Sequence, residues 1–196
     1  MFQSEVQQRL ERWLQRWSVT GLDAVDKWLS SMSLRHLEAD EFLLHAGDES
    51  DTLYLLESGL VRYFYTTPDG RERNKAFYRE GQAIGPVSAA MQSCPAPFSI
   101  QCLEETEVIA FSFSDLRTVV EENPQVSRLF LDMLAEAFIR NEQREALLLT
   151  CGAEERYQWL LQNEAYLLDR VPQFHIASYL GMDAVSLSRL KRKIKA

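Results

Sequence analysis

The basic side chains near the carboxyl end are the residues whose types and spacing most clearly suggest chemistry. Residues 186–196, with the sequence SLSRLKRKIKA, contain no acidic residue and five basic ones, namely Arg189, Lys191, Arg192, Lys193 and Lys195. An arginine can donate to both O6 and N7 of guanine, and lysines bind phosphates. The segment therefore predicts contact with double-stranded DNA; a solvated basic face or a frayed tail is the alternative interpretation.

The residues around and before these cations have the pattern of two short helices joined by a tight turn. Five apolar positions are expected to pack the two helices together: Ile176, Ala177, Leu180, Leu187 and Leu190. Gly181 permits the turn, and Asp183 is expected to cap the second helix. This spacing predicts a helix-turn-helix over residues 173–194, with an ordinary pair of antiparallel helices as the alternative. The side chains expected to face DNA are Gln173, His175, Ser186, Ser188, Arg189, Lys191, Arg192 and Lys193.

The charge of the whole chain limits how it can bind nucleic acid. The 196 residues carry a formal net charge of -8, and the isoelectric point is about 5.0. An acidic protein does not coat nucleic acid nonspecifically. A basic end on an acidic body therefore predicts a DNA contact confined to one element.

The middle of the chain has the pattern of a β-domain that must hold these elements. From Asp40 onward, short runs of β-prone residues alternate with turn residues. Pro68-Asp69-Gly70 lies between two such runs and indicates a hairpin, because proline presets φ and glycine permits a positive φ. Regularly spaced short strands predict a sandwich or barrel. Ser114 is the predicted N-cap of a helix over residues 114–123.

Helical periodicity flanks the β-domain on both sides. Two amphipathic helices are predicted before it, the first with Val6, Leu10, Trp13, Leu14 and Trp17, and the second with Leu22, Val25, Trp28, Leu29 and Met32. A long helix is predicted over residues 124–150, with a stripe of Val126, Leu129, Phe130, Met133, Leu134, Ala137 and Phe138. This stripe is expected to form a dimer seam, or else to pack on the chain's own β-domain. Gly152 marks a break before further short helices.

Several classes of protein are disfavoured by the same sequence. Cys94, Cys102 and Cys151 are odd in number and widely spaced, so neither a disulfide framework nor a zinc site is expected. The three histidines have no ligand spacing, and no GxSxG, P-loop or HExxH motif occurs, so no cofactor and no enzyme activity are expected. No apolar run approaches a membrane span. We expect a cytoplasmic protein without metal or membrane contact.

Taken in order, the motifs of residues 37–196 resemble the Crp/Fnr family of regulators. The resemblance is carried by GDESDTLYLLESGLVRYFYTTPDGRE, EGQAIG, TEVIAFSFSDL, the Asn123-Pro124 start of the long helix and IASYLGMDAVSLSRLKRK. Glycines fall at the turn positions of that family's cyclic-nucleotide-binding β-roll: Gly47, Gly59, Gly70, Gly81 and Gly85.

The resemblance implies an α+β fold in three parts. Residues 1–123 would form N-terminal helices and an effector-sensing β-roll of the jelly-roll kind, and residues 124–150 a dimerisation helix. Residues 151–196 would form a small winged-helix-like helix-turn-helix domain. The implied function is transcription regulation by a homodimer whose effector shifts the long helices and reorients the DNA-binding helices.

The implied effector pocket departs from the family's cyclic AMP pattern. Where such members have Gly-Glu-Leu, with the glutamate holding the ribose, this chain has Gly85-Pro86-Val87. Where they have an arginine against the cyclic phosphate, this chain has Ala96-Pro97-Phe98-Ser99. A buried phosphate without a counter-charge costs several kcal/mol, so cyclic AMP is not the expected effector.

The expected pocket residues are Gly85, Pro86, Val87, Ser88, Pro97, Phe98, Ser99, Asn141 and Glu142, around an unidentified small molecule. Asn141 is expected either to contact that ligand or to fix helix register across a dimer. The recognition helix also departs from the family, because Ala184-Val185 stands where relatives often carry a base-contacting glutamate. The alternative to a DNA-binding regulator is therefore an effector-binding or protein-interaction module whose helix-turn-helix is vestigial.

Overall fold

The computed structural model describes residues 2–16 and 26–195 of the chain. They form a β-roll of two antiparallel sheets flanked by helices, which confirms the predicted α+β class. Trp17, Leu22 and Val25 of the two predicted N-terminal helices lie outside the described residues. No helix within the described residues is long and apolar enough to cross a membrane.

The N-terminal helices form one side of the core. Helix α1 spans Phe2–Arg16 and helix α2 spans Asp26–Ser31. Val6, Leu10 and Trp13 of α1 are buried at the helical spacing expected from the sequence. Trp28 of α2 is also buried and meets Phe111 edge-on, with ring centroids 5.5 Å apart. The described apolar residues of α1 and α2 thus pack onto the β-roll.

Eight strands make up the β-roll: β1 (Ser33–Leu37), β2 (Phe42–Leu44), β3 (Thr52–Ser58), β4 (Leu60–Thr66), β5 (Glu72–Arg79), β6 (Ala83–Ile84), β7 (Ser99–Cys102) and β8 (Thr106–Ser112). Their orders are β1-β8-β3-β6 in one sheet and β2-β7-β4-β5 in the other. The sequence pattern placed the beginning of the β-domain at Asp40, but the first strand precedes it. Ser33–Leu37 is a strand because it pairs with β8, which is distant in the sequence. A short helix α3 (Val87–Gln92) lies between β6 and β7.

Local sequence explains the tightest turns of the roll. The predicted hairpin at Pro68-Asp69-Gly70 joins β4 and β5, with the amide of Gly70 donating to the carbonyl of Thr67 at 2.8 Å. Gly59 joins β3 and β4 with φ at 100°, and a Cβ there would approach the Glu105 carbonyl oxygen to 2.8 Å. Only glycine fits both the φ value and this close approach.

The N-cap of helix α4 lies two residues earlier than the sequence pattern predicted, and the helix begins one residue earlier. It spans Phe113–Glu122, and its N-cap is Ser112 rather than Ser114. The hydroxyl of Ser112 accepts from the backbone amides of Ser114 and Asp115 at 3.1 and 3.4 Å. Ser112 has the extended backbone that an N-cap requires, whereas Ser114 already lies inside the helix.

Five helices follow α4 without a further strand. Helix α5 spans Pro124–Thr150, as predicted, and Asn123 caps it by accepting from the amides of Gln125 and Val126 at 3.0 and 3.2 Å. The others are α6 (Ala153–Asn163), α7 (Leu167–Arg170), α8 (Gln173–Tyr179) and α9 (Ala184–Lys195). Residues 151–195 therefore contain no strand that could form a wing.

The helices α6 to α9 share their core with the β-roll. Their buried residues include Leu160, Leu167, Ile176 and Leu180, and they pack with Leu60 and Phe77 of strands β4 and β5. The ring of Phe77 meets that of Tyr179 at 5.1 Å. The described C-terminal helices are thus docked on the outer side of the β-roll, and the division of the chain at residue 150 stays a prediction.

Candidate functional site

A cavity of about 380 Å³ lies between the β-roll and helix α5. Strands β3 to β6 form one wall, and α5 forms the other from Val126 to Asn141. Trp13 of α1 and Trp28 of α2 also line the cavity. Ligand pockets commonly have volumes of roughly 300 to 1,000 Å³ and mostly apolar walls. This cavity has that size and composition.

The structure brings five of the nine predicted pocket residues to the cavity: Gly85, Val87, Ser88, Phe98 and Asn141. The other four do not line it. Pro86 is buried beside helix α3, Pro97 is exposed, and Glu142 is exposed on α5. The hydroxyl of Ser99 accepts from the amide of Ala46 at 2.9 Å instead.

The position of the 96–99 segment has a physical cause. The amide of Ala96 donates to the carbonyl of Asp48 at 2.9 Å, and the amide of Gly47 donates to the carbonyl of Ala96 at 2.8 Å. These bonds hold the backbone against the neighbouring loop. Of Pro97, Phe98 and Ser99, only Phe98 then reaches the cavity.

Three aromatic side chains form a continuous row along the strand wall of the cavity. The ring of Tyr63 lies 4.8 Å from that of Phe98 and 4.5 Å from that of Tyr78. The hydroxyl of Tyr63 accepts a hydrogen bond from the amide of Gly85 at 2.6 Å. Burial raises the pKa of Tyr63 well above its ordinary value, so the phenol is neutral.

Two cations stand over the ends of this aromatic row, and both line the cavity. The Lys75 ammonium lies 4.9 Å from the ring centre of Phe98, and the Arg140 guanidinium lies 4.2 Å from that of Tyr78. Arg140 also donates to the Tyr78 hydroxyl. Burial, and then the charge of Arg140, lower the pKa of Lys75.

Sequence reasoning did not identify Lys75 and Arg140 as pocket residues. Among the described residues, no carboxylate lies within 4.0 Å, the distance of an ion pair, from the charged group of Lys75 or Arg140. Arg140 has a usable signal, because it follows Met133 by seven residues and Ala137 by three, on the stripe that lines the cavity. Lys75 has no such signal, since it lies on a strand with buried residues on both sides of it.

The helix-turn-helix is formed by α8, a turn over residues 180–183 and α9. Ile176, Ala177, Leu180 and Leu187 are buried at the contact of the two helices, as expected. Gly181 has φ at 67°, and its amide donates to the Ser178 carbonyl at 3.1 Å. The glycine conformation thus gives the chain the reversal that this motif needs.

Asp183 caps helix α9, as expected. Its carboxylate accepts from the Ser186 amide at 2.7 Å and from the Ser186 hydroxyl at 2.9 Å. These two bonds lower the pKa of Asp183. Ser186 is exposed, but its hydroxyl proton is used inside the cap rather than being free to donate outward.

The other predicted DNA-facing residues of α9 differ in their surroundings. Arg189 is exposed and has no hydrogen bond or ion pair among the described residues. Arg192 donates to Ser188 at 3.4 Å, and Lys193 pairs with Glu154 of α6 at 2.9 Å. Lys191 is half-buried. Among the exposed cations Arg189, Arg192 and Lys193, Arg189 is therefore the one without a competing polar contact.

His175 corrects one expectation about the DNA contacts. Gln173 is exposed at the start of α8, but His175 is only 9% exposed. Its Nδ1 accepts from the side-chain amide of Asn74 on β5 at 3.1 Å. Burial, and then the charge of Arg62, lower the pKa of His175 to about 4. The imidazole is a neutral group in the contact between α8 and the β-roll, not a DNA contact.

Polar bonds surround His175 and fix α8 on the roll. Buried Arg62 pairs with Glu72 at 2.6 Å and donates to Asn74 at 3.2 Å. The backbone amide of Asn74 donates to the Ser178 hydroxyl at 3.0 Å, and Ser178 in turn donates to the Glu72 carbonyl at 3.2 Å. We call Arg62, Glu72, Asn74, His175 and Ser178 the docking cluster.

Helix α5 has two apolar faces rather than one. The predicted stripe faces the chain's own β-roll: Val126 and Leu129 are buried, Phe130 and Met133 pack on them, and Leu134 and Ala137 line the cavity. Five large apolar side chains of α5 are exposed, and we call them the outer face: Leu131, Phe138, Ile139, Leu148 and Leu149. Phe138 belongs to both, since it also lines the cavity.

Comparison with known proteins places this geometry in a family. Residues 34–123 match the family described as the cyclic nucleotide-binding domain. The chain is 30% identical to the transcriptional activator protein Anr of Pseudomonas protegens over 181 residues, which are 86% of this chain and 72% of Anr. It is 29% identical over 185 residues to the protein of the same name from Pseudomonas aeruginosa, and these residues are 88% of this chain and 74% of that protein.

Solved structures show the same fold at lower identity. FixK2 from Bradyrhizobium japonicum aligns with a TM-score of 0.72 and 22% identity over 84% of each chain. CLP, the c-di-GMP responsive global regulator of Xanthomonas campestris, aligns with a TM-score of 0.73 and 16% identity over 89% of this chain and 92% of its own. With the β-roll, the long helix and the helix-turn-helix in the same order, this chain belongs to the Crp/Fnr family of transcription regulators.

Proposed function

We propose that this protein is a cytoplasmic, sequence-specific DNA-binding regulator without enzyme activity. The observation that carries the proposal is the exposed basic face of α9, which follows an Asp183-capped turn and contains the unpartnered Arg189. A recognition helix of this kind enters the major groove and contacts base edges with its first turns. The remaining cations of α9 would bind the phosphates on either side.

The proposed regulator is a homodimer that pairs along α5. Leu131 and Phe138 are each 63% exposed, and Leu149 is 76% exposed. Residues 131, 138 and 149 lie along one side of a 27-residue helix, and a second copy of the same helix would cover them. Two recognition helices would then meet half-sites about 34 Å apart.

We propose that a small molecule in the cavity controls this dimer. One face of α5 lines the cavity, and the adjoining outer face, which shares Phe138 with it, carries the proposed dimer contact. A ligand that moves α5 would therefore also change the spacing of the two α9 helices. Cyclic AMP is not the proposed effector, because Pro86-Val87 and Ala96-Pro97-Phe98 replace the family's glutamate and arginine.

The docking cluster favours one alternative. If Arg62, Asn74 and His175 hold α8 on the β-roll in every state, α9 cannot be reoriented by an effector. The protein would then be an effector-binding or protein-interaction module with a vestigial helix-turn-helix. The two functions differ in whether the purified protein retains DNA at all.

Selection from random duplex DNA at low and moderate salt tests the proposal. A regulator is expected to enrich a palindrome and to lose affinity steeply with salt, because neutralised phosphates release counterions. Failure to retain DNA at either salt concentration would support the vestigial domain instead.

A further inference from the structure

Neither cation of the cavity has a carboxylate within ion-pair distance among the described residues, and the carboxylate that acts on Arg140 from further away, Glu164, also faces Arg144 and Arg79. Lys75 is half-buried and Arg140 is partly buried, and the Nε atom of Arg140 is buried without a hydrogen-bond partner among the described residues. Their contacts with Phe98 and Tyr78 are cation–π contacts, which attract a cation without neutralising it. Placing like charges in an apolar site is costly unless an anion accompanies them.

The rest of the cavity is apolar and extended. The residues of α5 that line it run from Val126 to Asn141, which is about 22 Å at 1.5 Å per residue. Arg140 lies at one end of this span, and Val126 and Leu129 lie at the other. Trp28 also lines the cavity, on the side of α2. The charged groups are therefore confined to one end of a long apolar space.

We infer that the cavity binds an amphipathic anion, with its acidic head between Lys75 and Arg140 and an extended apolar body along α5. The Tyr63 hydroxyl, which accepts from Gly85, keeps its own proton to donate to the same head group. The apolar body would displace water from the part of the cavity near Trp28. This inference names the chemical class of the effector proposed above. Binding of such a ligand does not require DNA binding, but its role in regulation rests on the proposed function.

Calorimetric titration of the full chain with four probes tests the inference. Decanoate and decyl phosphate carry an acidic head, decanol carries a neutral one, and decyltrimethylammonium carries a cationic one. We expect one decanoate or decyl phosphate per chain, bound at least about tenfold more tightly than decanol, because a hydrogen-bonded charge pair strengthens binding by about that factor or more. The tighter of the two anions identifies the head group as carboxylate or phosphate.

Variants then locate the head group. Lys75→Met and Arg140→Met are each expected to weaken the anion about ten- to hundredfold while leaving decanol unchanged. Arg140→Lys keeps the charge and is expected to retain part of the affinity if loss of the Tyr78 contact destabilises Arg140→Met. Arg128→Gln, on the exposed side of the same helix, is the matched control and is expected to bind like the parent protein.

Four results would overturn the inference: equal affinity for decanol and decanoate, no effect of Lys75→Met, no binding of either anion by the folded chain, or binding of decyltrimethylammonium as tight as that of both anions. The titration contains no DNA. If the DNA selection fails but decanoate binds in a charge-dependent way, the DNA-binding regulator is refuted and the ligand class stands. If the selection recovers a DNA site but neither anion binds, only the ligand class is refuted.

Discussion

Asn74 donates its side-chain amide to both the backbone carbonyl and the imidazole Nδ1 of His175, at 3.0 and 3.1 Å. Asn74 is next in sequence to Lys75, whose side chain lines the cavity. Strand β5 thus connects the cavity wall to the first helix of the helix-turn-helix through consecutive residues. A ligand that displaces β5 would therefore directly change the contacts that hold α8 on the β-roll.

The neutral state of His175 predicts a loss of stability in mild acid. The pKa of His175 is lowered from 6.5 to about 4 by burial and by Arg62, with Glu72 and Asp40 opposing the shift. Between these values the unfolded chain binds a proton that the folded chain does not, so the free energy of unfolding falls as pH decreases from about 6.5 to about 4. The loss should reach about 3 kcal/mol at the lower end.

Urea unfolding of the parent protein and of His175→Gln across this range measures the effect. Glutamine can accept from Asn74 but does not titrate, so the variant should be less stable near neutral pH and lack this part of the acid slope. An unchanged slope in the variant would mean that the imidazole is not held neutral.

The outer face of α5 predicts a dimer that a single charge disrupts. Leu131→Asp is expected to raise the dimer dissociation constant about ten- to hundredfold, because a buried leucine contributes roughly 1.5 to 3 kcal/mol. Analytical ultracentrifugation measures this change. Arg128→Gln, one turn away and paired with Asp132, should leave the dimer intact. A Leu131→Asp dimer as stable as the parent would move the interface away from this face.

Arg189 is expected to contact a base. Arg189→Ala should cost about 1 to 3 kcal/mol at one position of the selected DNA site and relax the preference there. Arg117→Ala removes an equal charge from the exposed side of α4 and should change neither affinity nor preference. The affinities of the parent protein and both variants for single-base variants of the site measure these effects. A uniform loss of affinity across all sequences would assign Arg189 to a phosphate contact instead.

The Asp183 cap predicts a small, specific loss of stability. Asp183→Ala removes the acceptor for the Ser186 amide and should lower the free energy of unfolding by about 1 kcal/mol, whereas Asp183→Asn keeps a capping side chain and should remain close to the parent. Thermal unfolding followed by circular dichroism compares the three proteins. Equal losses in both variants would point to the charge rather than the cap.

The sequence alone determined the features that depend on neighbouring residues. The hairpin at Pro68-Asp69-Gly70, the start of α5 at Pro124 and the turn at Gly181 are set by φ preferences and capping bonds within a few positions. The apolar periodicity of α1 and α5 predicted their buried faces in the same way. Even here Ser114 was the wrong cap, because Ser112 has the extended backbone that an N-cap requires and Ser114 already lies inside the helix.

Tertiary structure alone decided which distant residues share a site. Lys75 and Arg140 are 65 positions apart, and they line one cavity because α5 packs against β5, where Arg140 donates to Tyr78. His175 was expected at the DNA, but docking of α8 on the β-roll buries it beside Arg62 and Asn74. Only Arg140 has a local signal, its spacing on the α5 stripe that lines the cavity. The position of Lys75 and the burial of His175 have none, because they arise from packing between elements rather than from the order of residues within them.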